Sequence, residues 1–143
     1  MDAPISGIAH SIQLAVAPVF LLAGIGGLLG VLTNRIGRII DRSRNLRDQI
    51  PSSTEARGAE LRDELGLLAR RARLINRAIA LCTASALLVC LVVAVLFLGS
   101  FITHSMATPI ALLFIGAMLC LIAALLLLMR EILLSTARLR IGV

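Results

Sequence analysis

Apolar residues recur at helical spacing on both sides of a short break in the chain. Alternating steps of four and three residues separate the positions Leu32, Ile36, Ile39, Ser43, Leu46 and Ile50, and again Leu61, Leu65, Leu68, Ala72, Ile75 and Ile79; all of them except Ser43 are apolar. Such steps place the side chains on one helix face and are typical of a heptad seam between packed helices. The pattern predicts two antiparallel helices joined by a seam of Ile36, Ile39, Leu46, Leu61, Leu65, Leu68 and Ile75.

Residues that favour a turn lie between these two predicted helices. Pro51 cannot continue the first helix, because its nitrogen carries no hydrogen. Ser52, with Glu55 three residues later, fits a capping box that would start the second helix. The sequence therefore predicts a helical hairpin over residues 34–77.

Long uncharged stretches, residues 3–34 and 78–129, flank this hairpin, and polar residues between Gly99 and Pro109 interrupt the second. A bilayer core of about 30 Å takes about 20 apolar residues per helix. The stretches predict three transmembrane helices, at about residues 8–33, 78–99 and 109–130. The predicted fold class is an all-α membrane protein of one domain, residues 1–143, in which helices 1 and 2 extend into a cytoplasmic antiparallel helical hairpin and residues 131–143 form a cytoplasmic tail at the membrane interface.

The distribution of arginine predicts the orientation in the membrane. Eleven of the fourteen arginines lie between Asn34 and Arg77, and the other three, Arg130, Arg138 and Arg140, lie at the C-terminal end. Segments rich in Arg stay on the cytoplasmic side. We therefore expect the hairpin and C-terminus to be cytoplasmic, and the N-terminus and the loop near Gly99 to be outside.

Composition excludes some classes of protein. The chain is 59% hydrophobic with a mean hydropathy of +0.99, more apolar than a soluble core of this size accounts for. The net charge of +6 does not indicate nucleic-acid binding, because Trp and Tyr are absent and no stacking platform accompanies the arginines. The cysteines, Cys82, Cys90 and Cys120, lie in apolar stretches and are expected to be buried and unpaired. No catalytic residue, metal site or cofactor is predicted, and no enzymatic activity is expected.

One face of the first helix carries small and polar residues and turns away from the seam. Gly26 and Gly30, four residues apart, fit the spacing that lets membrane helices pack closely. At 100° per residue, the face is predicted to be a subunit contact or a pore lining formed by Gln13, Phe20, Gly24, Gly27, Gly30, Val31, Asn34 and Arg38.

Two functions fit this face. In the first, the chain is a homo-oligomeric scaffold in the lipid bilayer, and its hairpin meets an anionic lipid or an acidic protein. In the second, several first helices line an ion channel with Asn34 and Arg38 at its cytoplasmic mouth. A channel requires a homo-oligomer, because three helices cannot enclose a pore alone. The scaffold is the preferred interpretation.

The arginine-rich helix exits carry a family resemblance. Thr33-Asn34-Arg35-Ile36-x-Arg38-Ile39-x-Asp41-Arg42 and Arg71-x-Arg73-Leu74-Ile75-x-x-Ala78-Ile79 are each joined to an apolar helix. Over roughly residues 12–138 the chain resembles a family of small bacterial inner-membrane proteins named domain of unknown function twenty-seven twenty-one. The resemblance implies a location in the bacterial inner membrane. It implies no activity and assigns no catalytic residue.

Overall fold

Three long α-helices account for nearly all of the residues that the structure describes. The computed structural model describes the backbone of residues 2–141 and the side chains of residues 5–137. Helix α1 spans Asp2–Gln49, α2 spans Glu55–Gly99 and α3 spans Ala107–Ile141, with a single 3-10 turn at Ile50–Ser52. Each helix is rich in Leu, Ala and Ile, and each contains a stretch of mean hydropathy between 2.3 and 3.0. In the described part of the chain, three helices are therefore long and apolar enough to cross a membrane, as the uncharged stretches predicted.

The ends of the helices differ from the sequence-based expectation in two places. Thr54, rather than Ser52, caps α2, since its Oγ1 accepts a hydrogen bond from the backbone N–H of Arg57 at 3.3 Å. The reason is that Ser52 belongs to the 3-10 turn Ile50–Ser52, which contains Pro51, so the helix starts two residues later. At the other end of the chain, α3 continues well beyond Met129, and the predicted tail is helical to Ile141. The side chains of Arg138 and Arg140 and the last two residues lie outside the described residues.

The helices contribute to two compact units. The first unit comprises Met1–Leu29 and Leu81–Ala123. Its core contains small side chains, among them Ala15, Val89 and Ala117. The Ser85 hydroxyl, fully buried on α2, donates to the Ala117 carbonyl of α3 at 2.8 Å. A hydrogen bond of this kind satisfies a polar group inside an apolar region and ties two helices together.

The second unit comprises Gly30–Ala80 and Ala124–Val143. Most of its buried residues recur at intervals of seven on each helix that contributes to it; Gly58 and Ala78 on α2 are buried outside these series. Seven residues are almost two helical turns, so each series forms one narrow stripe of knobs facing the other helices. The stripes are Leu32, Ile39 and Leu46 on α1, Leu61, Leu68 and Ile75 on α2, and Ala124 and Glu131 on α3. Of the predicted seam residues, Ile39, Leu46, Leu61, Leu68 and Ile75 are buried, and Ile36 and Leu65 are half-buried.

The cysteines are free but not uniformly buried. Cys82 is buried, Cys120 is half-buried and Cys90 is exposed. The expectation of burial was wrong for Cys90. It lies one residue beyond the buried Val89, and a step of 100° carries it off the packed face.

Candidate functional site

Glu131 is the least expected core residue of the second unit. Its side chain is 1% exposed, although it carries a carboxylate. It lies seven residues after the buried Ala124, which itself follows the buried Ala117 by seven. Glu131 therefore continues the packed stripe of α3 into the second unit, where a wholly apolar residue would be the default.

Two arginines from the other helices neutralise this carboxylate. Arg71 on α2 donates from Nε and Nη2 to Oε1, at 2.9 and 2.7 Å. Arg35 on α1 donates from Nη1 to Oε2. The Ser135 hydroxyl, one turn after Glu131 on α3, accepts from Arg71 Nη2 at 3.4 Å. We name these four residues the Glu131 cluster; in it one carboxylate holds the three helices of the unit together.

The energetics of the cluster follow from its unequal burial. Removing a carboxylate from water is costly unless hydrogen bonds and opposite charge compensate it. Both oxygens of Glu131 accept from a guanidinium, and no buried side-chain nitrogen or oxygen of the described residues lacks a partner. The guanidinium groups remain 33% and 28% exposed at Arg35 and Arg71, so water still solvates part of each cation. The cluster carries a net charge of +1.

An arginine-lined cavity of about 870 Å³ lies beside the cluster within the second unit. The two arginine-rich motifs of the sequence meet here. Its polar wall consists of Asn34, Arg35, Arg38, Arg42, Glu64, Arg71 and Ser135, and its apolar wall of Val31, Ile39, Leu67 and Leu68.

Positive charge dominates this cavity. Arg42 on α1 and Glu64 on α2 form an ion pair at 2.9 Å across it, and these two charges cancel. Arg38 is exposed and has no ion-pair partner among the described residues. With the net charge of the Glu131 cluster, two positive charges remain in excess. Chemically, the cavity can hold an anion that fits the planar forks of several guanidinium groups.

The residues predicted as a pore lining or subunit contact are all exposed. In the first unit these are Gln13, Phe20, Gly24 and Gly27, with Phe20 74% exposed. In the second unit they are Gly30, Val31, Asn34 and Arg38. The structure places Val31, Asn34 and Arg38 on the wall of the arginine-lined cavity, where they meet residues of α2 and α3.

The sequence reasoning missed the Glu131 cluster. It placed Glu131 at the start of the cytoplasmic tail and treated Arg35 and Arg71 as part of the general excess of arginine in residues 34–77. One signal was present: Glu131 follows Ala117 and Ala124 at strict intervals of seven, and Ser135 follows one turn later on the same face. A charged residue in register with a stripe of small residues indicates a buried charge with partners on other helices.

Comparison with known proteins identifies a family without an assigned activity. The family model described as Protein of unknown function (DUF2721) matches residues 15–141. No curated protein and no solved structure matches the chain. The resemblance seen in the arginine-rich helix exits is thereby confirmed.

Proposed function

The chain belongs to the DUF2721 family of proteins of unknown function, and we propose that this member acts without enzymatic chemistry, as a homo-oligomeric scaffold in the bacterial inner membrane. Residues 34–77 form its cytoplasmic helical hairpin, which presents the arginines to other molecules. The first helix provides the contact between subunits.

The glycines of the first helix carry this proposal. Gly24, Gly26, Gly27 and Gly30 all lie inside α1, where each glycine costs up to about 1 kcal/mol relative to alanine. None has a positive φ. A Cβ atom built at any of them would meet no described atom within 4 Å other than its chain neighbours and the adjacent backbone of its own helix. Packing within one chain therefore gives no reason for glycine, whereas close approach of a second membrane helix does.

Several contacts and charges support the hairpin. Only residues 50–54, which include the 3-10 turn at Ile50–Ser52, separate α1 from α2. The Arg42–Glu64 ion pair joins residues on either side of that turn, 22 positions apart. The eleven arginines between Asn34 and Arg77 favour the cytoplasmic side.

Substitution of Gly27 tests the subunit contact. Gly27→Leu should lower the mass of the detergent-solubilised complex, because a leucine side chain separates helix backbones that glycine allows to touch. Light scattering coupled to size exclusion measures this mass. Gly66→Leu is the matched control, since Gly66 is an exposed helical glycine of α2 with no described atom within 4 Å of its Cβ position. A wild-type protein that is already monomeric would contradict the proposal, as would equal effects of the two substitutions.

A homo-oligomeric ion channel lined by the first helix is a second candidate function. It is favoured by the exposure of Val31, at 49%, on the same helix face as Asn34 and Arg38. A ring of Val31 would form an apolar constriction, and a ring of Arg38 would attract anions at the mouth.

Ion flux into liposomes tests the channel. Val31→Ser should raise the flux by wetting the constriction. Arg38→Glu should shift ion preference towards cations, more strongly at low salt than at high salt, because the Debye length falls from about 10 Å at 0.1 M to about 3 Å at 1 M. Arg70→Glu, on the exposed face of α2, should change neither. If wild type and Val31→Ser both pass no more ions than empty liposomes, the channel is wrong and the scaffold stands.

A further inference from the structure

The arginine-lined cavity has more positive charge than its own carboxylates neutralise, and we propose that it binds a phosphate group. Four arginines line it: Arg35, Arg38, Arg42 and Arg71. One carboxylate, that of Glu64, also lines the cavity. A second carboxylate, that of Glu131, does not line it but forms ion pairs with Arg35 and Arg71. Two positive charges are left for an incoming anion.

Unused hydrogen-bond donors face the same volume. Arg35 uses only Nη1 in its bond to Glu131, and Arg71 keeps Nη1 without a described partner. Arg38 keeps its whole guanidinium. Guanidinium forks pair with the oxygens of phosphate in two parallel bonds, which a single ammonium group cannot do. Asn34 adds an amide donor to the polar wall.

Glu131 holds two of the arginines that would bind this ligand in fixed positions. Without it, Arg35 and Arg71 would carry two adjacent like charges on long side chains. Its buried carboxylate fixes both guanidinium groups in place, so little side-chain entropy is lost when an anion binds. Glu64 opposes the anion, but Arg42 already holds its carboxylate at 2.9 Å.

The surroundings favour a lipid as the source of the phosphate. The apolar wall contains Val31, Leu67 and Leu68, which can lie against an acyl or glycerol group. Arg35 follows the uncharged stretch 3–34 directly, and Glu131 follows the stretch 78–129 by two residues. Groups at such positions meet the headgroups of an anionic membrane, where basic pockets between helices bind lipid phosphates. A free phosphate-bearing molecule offers the same chemistry from the aqueous side.

Binding of phosphatidylglycerol to the purified full chain in detergent tests the proposal, with native mass spectrometry as the readout. We expect one high-affinity lipid per chain, and much weaker binding of phosphatidylcholine, whose choline cation offsets the phosphate charge. Arg38→Gln should weaken phosphatidylglycerol binding at least about tenfold, the loss expected for charge-assisted hydrogen bonds. Since Arg38 is exposed and has no described ion pair, this variant should keep the wild-type thermal midpoint.

Arg70→Gln is the matched control. It removes the same charge from an exposed position of α2, next to Arg71 but outside the cavity wall. It should change lipid affinity less than about twofold. Equal weakening by the two substitutions, or no weakening by Arg38→Gln, would overturn the proposal and leave only a general attraction between arginines and anionic lipid.

Inorganic phosphate distinguishes the two sources. If it displaces phosphatidylglycerol at millimolar concentration and Arg38→Gln removes the displacement, the site also accepts phosphate from solution. If it does not displace the lipid, the site prefers a phosphate that is carried by a membrane lipid. The inference is independent of the subunit contact, because Gly27→Leu should leave lipid affinity unchanged.

Discussion

Glu131→Gln should lower the free energy of unfolding by about 2–3 kcal/mol. Removing one partner of a buried ion pair usually costs about 3–5 kcal/mol, because the remaining charge is left unpaired. Here the remaining charges are Arg35 and Arg71, which are 33% and 28% exposed and so recover part of their hydration. The expected loss therefore falls below that range. Chemical denaturation in detergent, followed by helical circular dichroism, measures it.

Glu60→Gln provides the control for this substitution. Glu60 also accepts a hydrogen bond from an arginine, Arg57, at 3.1 Å, but its side chain is 70% exposed. Exposed pairs contribute between zero and about 1 kcal/mol, and 1 M salt should remove most of that. The loss at Glu131 should persist at 1 M salt, since buried pairs are screened less. Equal small losses at both positions would contradict the burial of Glu131.

The three charged residues of the Glu131 cluster, Glu131, Arg35 and Arg71, should not contribute additively. Arg71→Gln alone removes two hydrogen bonds from Glu131 and leaves the carboxylate with Arg35. In a Glu131→Gln background the same change should cost much less, because the charge it compensated is gone. A double-mutant cycle measures this coupling, and residues in one network commonly couple by about 0.5–3 kcal/mol. A coupling near zero would indicate that the contacts do not form.

Leu61→Asp should have the largest effect on the apolar core of the second unit, a loss of about 3–5 kcal/mol or failure to fold. Leu61 is 1% exposed, so the change removes a buried side chain and adds an unpaired charge. Ala59→Asp introduces the same charge two residues earlier, at an exposed position, and should cost less than about 1 kcal/mol. Thermal unfolding in detergent compares the two variants.

Leu68→Asp sharpens this prediction. Leu68 is as much a core residue as Leu61 by spacing, but it lines the cavity together with Arg38 and Arg71. An aspartate at position 68 would lie near the cations of the cavity, which would stabilise its charge. An aspartate at position 61 would be buried among apolar side chains without such cations. We expect Leu68→Asp to cost clearly less than Leu61→Asp. A larger loss of stability for Leu68→Asp than for Leu61→Asp would mean that the arginines of the cavity do not stabilise a negative charge at position 68.

The helices of this protein were predictable because their signals are local. Uncharged stretches of membrane length appear directly in the sequence, and three apolar helices follow from them. The arginine-rich helix exits were enough to identify the family. Local rules failed where neighbouring elements compete, as at Ser52, which lies in the 3-10 turn around Pro51, so that Thr54 provides the cap instead.

The candidate site was less predictable, because its contacts are long-range. Glu131 meets Arg71 across 60 residues and Arg35 across 96. A charge close after an apolar stretch usually marks the membrane boundary. Because Glu131 fits that rule, it was not expected to be buried. Which of the eleven clustered arginines meet a buried carboxylate depends on the rotation of three helices. A pattern along one helix does not contain that rotation.

Because Glu131 lies near the C-terminal end of the chain, it is synthesised after both of its arginine partners. Ribosomes add about 5–20 residues per second, so Glu131 is made roughly 3–12 seconds after Arg71, its partner 60 positions earlier. During that interval the nascent chain holds two cationic side chains whose counter-ion does not yet exist. The ion pairs of Arg35 and Arg71 with Glu131 cannot form before then. The ion pairs that join the three helices of the second unit are therefore complete only after the third helix has been made.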